Sequence, residues 1–313
     1  MDRNKYKIFE PLHPLNTAVL FLVFNRLETT KHVFEAIRQA KPPRLYIAAD
    51  GARKSKDGEA EKVNAVRDYV MSNIDWECEV KTLFREQNLG CKYAVSGAIT
   101  WFFENEEMGI ILEDDCLPSQ SFFWFCEELL ERYKDDMRIG QISGDNFQKG
   151  IKRAEEDYYF SIYNHVWGWA SWANRWKNYD VELNTISDSV FIEEVIQKDN
   201  TRKYWINVFK KMKEKAIDTW DYQWTFTLWH NKQLTILPNL NLISNVGFGE
   251  DATHTTNESE FANLEVHEII LKNYPLEIHQ NYEADCFTSK LMFNQKSIFE
   301  RITSKIKRLM NEM

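Results

Sequence analysis

The stretch MGIILEDD, residues 108–115, joins a short apolar run to three consecutive carboxylates. Ile110, Ile111 and Leu112 suit a strand that is buried on both faces, because such strands are apolar throughout rather than alternating. Neighbouring like charges repel one another unless solvent or a cation offsets the repulsion. The stretch therefore predicts a strand that ends at the edge of a sheet. Its acidic end is then either a solvated turn before the next helix or the site of a cation.

Apolar runs earlier in the chain are separated by segments with helical spacing. The predicted order is strand 17–24, helix 29–40, strand 44–50, helix 60–72, strand 77–84, helix 91–104 and strand 108–115. This alternation is typical of a parallel sheet with helices on both faces, a Rossmann-like half-fold. We therefore expect an α/β fold with a mostly parallel central sheet. After about residue 138 the pattern is less regular, and the Trp-rich stretch WGWASWANRW, 167–176, predicts a helix or turn.

Polar residues follow several of these predicted strands, among them Asn25, Arg26, Asp50 and Glu113. In open α/β sheets, ligands bind at the carboxyl ends of the strands. Clustered carboxylates at such an edge suit Mg²⁺ or Mn²⁺. In a continuing strand, Glu113 and Asp115 would share one face and Asp114 would point to the other. There is no GxGxxG after the first strand and no GxxxxGK[ST], which counts against dinucleotide-dependent redox enzymes and P-loop ATPases.

The composition excludes other classes of protein. The net charge of −9 argues against general nucleic-acid binding, which needs a basic surface. The five cysteines have no CxxC or metal-type spacing, and their odd count without a secretory context indicates reduced thiols and a cytoplasmic protein. The first residues are too polar for a signal peptide, and the longest apolar run, 17–24, is too short to cross a bilayer.

The segment EDDCLPSQSFF, 113–123, resembles the metal-binding region of GT-A glycosyltransferases, in which EDD is followed after a few residues by Phe-Phe. The resemblance is to the inverting type represented by the animal N-acetylglucosaminyltransferase that starts hybrid N-glycans, and to its bacterial relatives. It extends loosely over residues 15–258. It implies a GT-A fold, a UDP-type sugar donor, Mn²⁺ or Mg²⁺, and a glycan or lipid-linked acceptor in bacterial surface polysaccharide synthesis.

The resemblance also implies roles for particular residues. Asp115 would bind the metal, while Glu113 and Asp114 would hold hydroxyl groups of the donor. Further donor contacts would come from the polar loop FNR, the end of the second strand, WGWASW and GFGEDATHT. The residues concerned are Asn25, Arg26, Asp50, Trp169 and His254.

WDYQW, 220–224, resembles the Trp-Asp-Asp-Trp that holds the catalytic base of the family, except that Tyr222 replaces the second acid. Apart from the resemblance, Asp221 is an acid flanked by aromatic residues, a setting suited to a general base. Asp221 or Thr219 is equally suited to cap the helix that follows. The two roles are compatible, and we predict that Asp221 is the base.

We predict one GT-A domain over residues 1–288, with a nucleotide-sugar-binding half at about 15–137 and an acceptor half at 138–288. A basic amphipathic helix would follow over 289–313. From residue 290 onward there are six basic and two acidic residues, with apolar residues at helical spacing. Such a helix suits the inner face of a membrane, or docking on the domain or a partner subunit. The alternative functions are a sugar nucleotidyltransferase and a non-catalytic carbohydrate-binding or assembly protein.

Overall fold

A computed structural model describes residues 9–196, 201–247 and 260–293 of the chain. The strands are β1 Val19–Val23, β2 Arg44–Ala49, β3 Glu79–Phe84, β4 Met108–Glu113, β5 Cys116–Pro118, β6 Ile139–Ser143, β7 Tyr158–Ser161, β8 Trp169–Trp172, β9 Leu234–Pro238 and β10 Ile243–Asn245. The helices are α1 Leu27–Ala40, α2 Glu59–Ser72, α3 Gly90–Phe103, α4 Ser121–Tyr133, α5 Ala173–Trp176, α6 Val190–Val195, α7 Arg202–Lys213, α8 Asp221–His230 and α9 Tyr282–Thr288.

Eight of these strands form one sheet in the order β3-β2-β1-β4-β8-β6-β9-β7. β1 pairs in parallel with β2 and β4, β2 with β3, and β6 with β9. β8 is antiparallel to both of its neighbours, and β7 is antiparallel to β9. The predicted α/β fold with a mostly parallel sheet is confirmed. The sheet also runs through both predicted halves of the chain, since β6 to β9 all follow residue 138.

The centre of the sheet is buried on both faces, as β1 illustrates. Val19, Phe21 and Val23 pack with α1, α2 and α4 on one side. Leu20 and Leu22 pack with α3 and a group of tryptophans on the other side. Because side chains alternate along a strand, an apolar run of this kind supplies both layers of the core. This burial fixes the position of the polar residues that follow the strand.

The prediction of a helix or turn at 167–176 was wrong for the first part of that stretch. Trp169–Trp172 is strand β8, which lies between β4 and β6, and only Ala173–Trp176 is helical. Gly168 turns the chain into the strand with a φ of +75°, a conformation that favours glycine. The local sequence carries no clear strand pattern. All four residues of β8 are buried, so the side chains on both faces of the sheet are shielded and no alternation of polar and apolar residues arises.

The predicted C-terminal helix begins at residue 289, and the structure describes only its first five residues. Ser289–Phe293 forms a single π turn after α9. Residues 294–313 lie outside the described residues. Within the described ranges, no helix is both long enough and apolar enough to cross a membrane.

Candidate active site

A cavity of about 680 Å³ lies at the carboxyl ends of β1, β2 and β4. We call it the carboxyl-edge cavity. Its polar and charged lining residues are Arg26, Asp50, Arg53, Arg85, Asn88, Glu113, Asp114, Asp115, Asp218, Thr219, Asp221, Tyr222 and Asn245. Small and apolar side chains of α3, together with Trp167 and Trp220, form much of the remaining wall. Strand ends from the first half of the chain and the start of α8 from the second half therefore meet in one space.

Three consecutive acids bring carboxylates into this cavity because the chain turns immediately after β4. The strand ends at Glu113, Asp114 and Asp115 form the turn, and β5 begins at Cys116. The expected alternation of faces therefore does not apply beyond Glu113, and all three acids line the cavity. β5 pairs with β10, and the backbone N–H of Val246 donates to the carbonyl oxygen of Asp115 at 2.8 Å.

Asp114 is held by the protein itself. One carboxylate oxygen accepts a hydrogen bond from the guanidinium of Arg26, and the other accepts from the backbone N–H of Phe24 at 3.3 Å. The residue is only 3% exposed. Burial raises the pKa of Asp114, and the charge of Arg26 opposes that rise. The structure therefore places Asp114 among the residues that hold the site together, with little surface to offer a donor hydroxyl.

Glu113 is more open to the cavity, and among the described residues its carboxylate accepts no hydrogen bond. Burial raises the pKa of Glu113, and the charges of Asp115, Asp114 and Asp221 raise it further. Asp221 is the first residue of α8, where the N-terminal end of the helix favours a negative charge. The hydroxyl of Thr219 donates to the Asp221 carboxylate. Glu113, Asp115 and Asp221 thus line the same cavity from two different elements.

Asp50 lines the cavity, but its carboxylate binds the turn that leads into α3. Its carboxylate accepts hydrogen bonds from the backbone N–H groups of Gly51, Leu89 and Gly90 at 3.0–3.1 Å. The side-chain amide of Asn88 adds another at 2.9 Å. Both oxygens are therefore engaged. Asp50 was predicted as a donor contact, and the structure gives it a positioning role at the cavity wall.

Two further residues predicted as donor contacts, Asn25 and Trp169, are not among the described residues that line the cavity. The side chain of Asn25 turns away and donates to Glu59 at 3.0 Å. Trp169 is fully buried in β8 and stacks on Trp220 with 5.8 Å between the ring centroids, so it supports the cavity wall from behind. This corrects its predicted role, because a buried indole has no surface to offer a ligand. His254 lies outside the described residues.

The structure also adds residues that the sequence did not single out. Asp218, three positions before Asp221, brings another carboxylate to the cavity, and Arg53 lines it from a loop. Gly247, the first residue of GFGEDATHT, lines it as well. The closeness of Asp218 to WDYQW in the chain was an available signal. No local signal marked Arg53, because it reaches the cavity through the path of a loop.

The charges of the lining bear on whether a divalent cation fits. Among the described lining residues there are six carboxylates and three arginines, so a diphosphate entering alone would meet excess negative charge. In the described ranges, no three or more His, Cys, Asp or Glu side chains converge as a ready-made metal site. Mg²⁺ is commonly held by one or two carboxylates together with substrate phosphates. The residues therefore fit a cation that is shared with a diphosphate, rather than one enclosed by protein ligands alone.

No protein-family model matches the chain, and no curated protein matches it. Among solved structures, GalNAc-T7 with UDP, GalNAc and Mn²⁺ is 12% identical, with a TM-score of 0.44 over 72% of this chain and 43% of that chain. The galactosyltransferase LgtC, in complex with donor and acceptor sugar analogues, is 13% identical, with a TM-score of 0.33 over 68% and 70% of the two chains.

The glycosyltransferase GlyE of Streptococcus pneumoniae TIGR4 is 9% identical, with a TM-score of 0.33 over 71% of this chain and 45% of that chain. These three similar structures are thus glycosyltransferases.

Proposed function

We propose that this chain is a GT-A-type glycosyltransferase that moves a sugar, with inversion, from a nucleotide-diphosphate sugar to a hydroxyl group of a glycan or lipid-linked acceptor. The observation that carries the proposal is the carboxyl-edge cavity, where Glu113 and Asp115 at the end of β4 meet Asp221 at the start of α8. The carboxyl edge of a mostly parallel sheet is the usual ligand site of open α/β folds.

The donor would bind against the first half of the chain, at about 15–137. The planar guanidinium of Arg26 suits the oxygens of a diphosphate. Asp115 is the residue that would hold Mn²⁺ or Mg²⁺, which when bound stabilises the negative charge of the departing nucleoside diphosphate. Glu113, whose carboxyl group is open to the cavity, would bind a hydroxyl of the donor sugar.

Asp221 would act as the general base from the acceptor half, at 138–288. It takes the proton of the acceptor hydroxyl while the acceptor oxygen forms a bond to the anomeric carbon. The bond from that carbon to the diphosphate oxygen breaks, and its electron pair leaves with the nucleoside diphosphate. The hydrogen bond from Thr219 holds the Asp221 carboxylate in one orientation for this step.

The proposal is tested first by thermal stabilisation with UDP- and GDP-linked hexoses and N-acetylhexosamines, with and without Mn²⁺. Turnover of the stabilising donor is then compared in the wild type and in Asp221→Asn. We expect Asp221→Asn to lose about 10²–10⁴-fold in turnover while donor stabilisation stays unchanged, because only the proton transfer is removed.

The matched control is Asp218→Asn, which removes a carboxylate from the same cavity and should stay within about tenfold of wild type. Near-wild-type turnover in Asp221→Asn would overturn the role given to that residue. Stabilisation by a donor without any transfer or hydrolysis would instead indicate a non-catalytic carbohydrate-binding protein.

We also propose that residues 290–313 bring the protein to the inner face of a membrane, where a lipid-linked acceptor would lie. The support is their basic and apolar pattern in the sequence. Co-sedimentation with anionic vesicles tests this, and a chain that stops at residue 293 is the control. Equal sedimentation of both chains would contradict it.

A further inference from the structure

Arg26 forms an ion pair with Asp115, the residue proposed to bind the metal. Its Nη2 atom lies 2.8 Å from Oδ2 of Asp115 and also contacts Asp114. The guanidinium is 20% exposed and the two carboxylates are 5% and 14% exposed, so the three groups form a largely desolvated ion cluster. Such a cluster is stronger than an exposed ion pair because less water screens it. In this state, an oxygen of Asp115 already has a cationic partner.

The backbone at Gly247 covers the same cluster. A Cβ atom at this position would stand 2.2 Å from Oδ2 of Asp115 and 2.6 Å from Nη1 of Arg26. The N–H of Gly247 is fixed by the side chain of Asn245 at 2.9 Å. The contact leaves little room beside Asp115 for a second cation while Arg26 stays in place.

We propose that Arg26 is a resident counter-ion of Asp115, which it releases to a divalent cation only when a nucleoside diphosphate offers Arg26 a new anionic partner. The inference rests on the proposed function and deepens it. Two cations at one carboxylate oxygen repel each other, so Arg26 and a metal compete for Asp115. Guanidinium pairs with phosphate oxygens through parallel hydrogen bonds, so a diphosphate gives Arg26 an equally good partner. Nucleotide and metal then bind with positive coupling, and Arg26 is the residue through which they are coupled.

The test measures Mn²⁺ binding directly, from the electron paramagnetic resonance signal of free Mn²⁺, with and without UDP or GDP. In the wild type we expect weak Mn²⁺ binding alone and binding at least about tenfold tighter with the nucleotide. In Arg26→Gln we expect Mn²⁺ alone to bind at least about tenfold tighter than in the wild type. The further gain from the nucleotide should be smaller than in the wild type, because only the sharing of the cation with the diphosphate remains. The matched control is Arg53→Gln, which also removes a positive charge from the cavity but whose guanidinium pairs with Glu59. It should behave as the wild type does.

Equal Mn²⁺ affinity of the wild type and Arg26→Gln without nucleotide would overturn the proposal, and so would loss of Mn²⁺ binding in Arg26→Gln under both conditions. If Arg26→Gln does not fold, the wild type alone still decides, since Mn²⁺ binding that is independent of nucleotide overturns it. These readouts do not depend on transfer. Donor turnover with Mn²⁺ binding that is independent of nucleotide would contradict this inference alone. Mn²⁺ binding that is tightened by nucleotide, without any turnover, would contradict the proposed function.

Discussion

The parallel strands carry a cavity at each end, and the two cavities differ in how far their acids are buried. We call the second one, of about 900 Å³ at the amino ends of β1, β2 and β4, the amino-edge groove. Its acidic and basic lining residues are Glu10, His13, Arg44, Glu106, Glu107, Glu127, Glu128, Glu131 and Arg132. Glu106 accepts hydrogen bonds from Arg44 and Tyr46, and Glu127 accepts one from the hydroxyl of Thr17. These carboxylates hold neighbouring segments of the fold together.

The carboxyl-edge cavity is smaller, but the acids at the end of β4 are less exposed to solvent. Four glutamates of the groove are exposed, whereas Glu113, Asp114 and Asp115 are half-buried or buried. Among the described residues, Glu113 accepts no hydrogen bond, and Arg26 is shared between two carboxylates. Carboxylates that stay close together at a cost in electrostatic repulsion are typical of functional sites. The size of a cavity is thus a poorer guide to chemistry than the burial of the charges inside it.

The largest expected effect separates the two cavities by activity. Asp115→Asn should lower donor turnover by about 100-fold or more, because Asp115 is the residue proposed to hold the cation that would stabilise the leaving diphosphate. The matched change in the amino-edge groove is Glu106→Gln, which should leave turnover within about twofold and lower stability by about 1 kcal/mol at most. Steady-state turnover of the stabilising donor and urea unfolding measure the two quantities. Equal losses of turnover in both variants would remove the distinction between the cavities.

A second prediction separates structural from functional carboxylates within the carboxyl-edge cavity. Asp50→Asn should lower the free energy of unfolding by about 2–3 kcal/mol, because it places an amide group against several backbone N–H donors. Urea denaturation checks this, with Asp68→Asn on the exposed face of α2 as the control. Turnover should change less than in Asp115→Asn. Full stability combined with lost donor binding would give Asp50 a direct role in binding instead.

The smallest expected effect concerns His165, which is buried behind cavity-lining Val166 and Trp167. Burial lowers the pKa of His165 to about 3, so between pH 6.5 and 3 the unfolded chain takes up a proton that the folded chain does not. The contribution of neutral His165 to the free energy of unfolding is therefore fully present above pH 6.5. It declines as the pH falls, by roughly 2 kcal/mol from pH 7 to pH 5. His165→Gln should remove this part of the decline in urea unfolding at the two pH values. An unchanged decline would show that other groups cause it.

Much of the first half of the chain could be predicted from its sequence. The strands and helices up to Glu113 lie within a few residues of their predicted positions, because each combines a clear apolar period with a clear stop. The second half was harder to predict. β8 reads as an aromatic run without alternation, and its strand conformation depends on pairing with β4 and β6.

The site divides in the same way. The sequence predicts acids at the carboxyl edge of the sheet, because Glu113 lies at the end of a buried strand. The engagement of the oxygens of Asp50 and Asp114 does not follow, because their partners lie far away in the chain and meet them only in the folded protein. Trp169 shows the opposite error, since a motif placed it near a ligand and packing placed it in the core.

Local sequence patterns account for the order of strands and helices in the first half and for the edge of the sheet at which the polar residues gather. Periodicity and chain stops are local properties, and parallel strands place their carboxyl ends together. The pairing of Arg26 with Asp114, 88 positions away, and the position of Asp221 at the same cavity arise from tertiary packing. Contacts between residues so distant in the chain depend on how the sheet and its helices pack, and no local pattern encodes that packing.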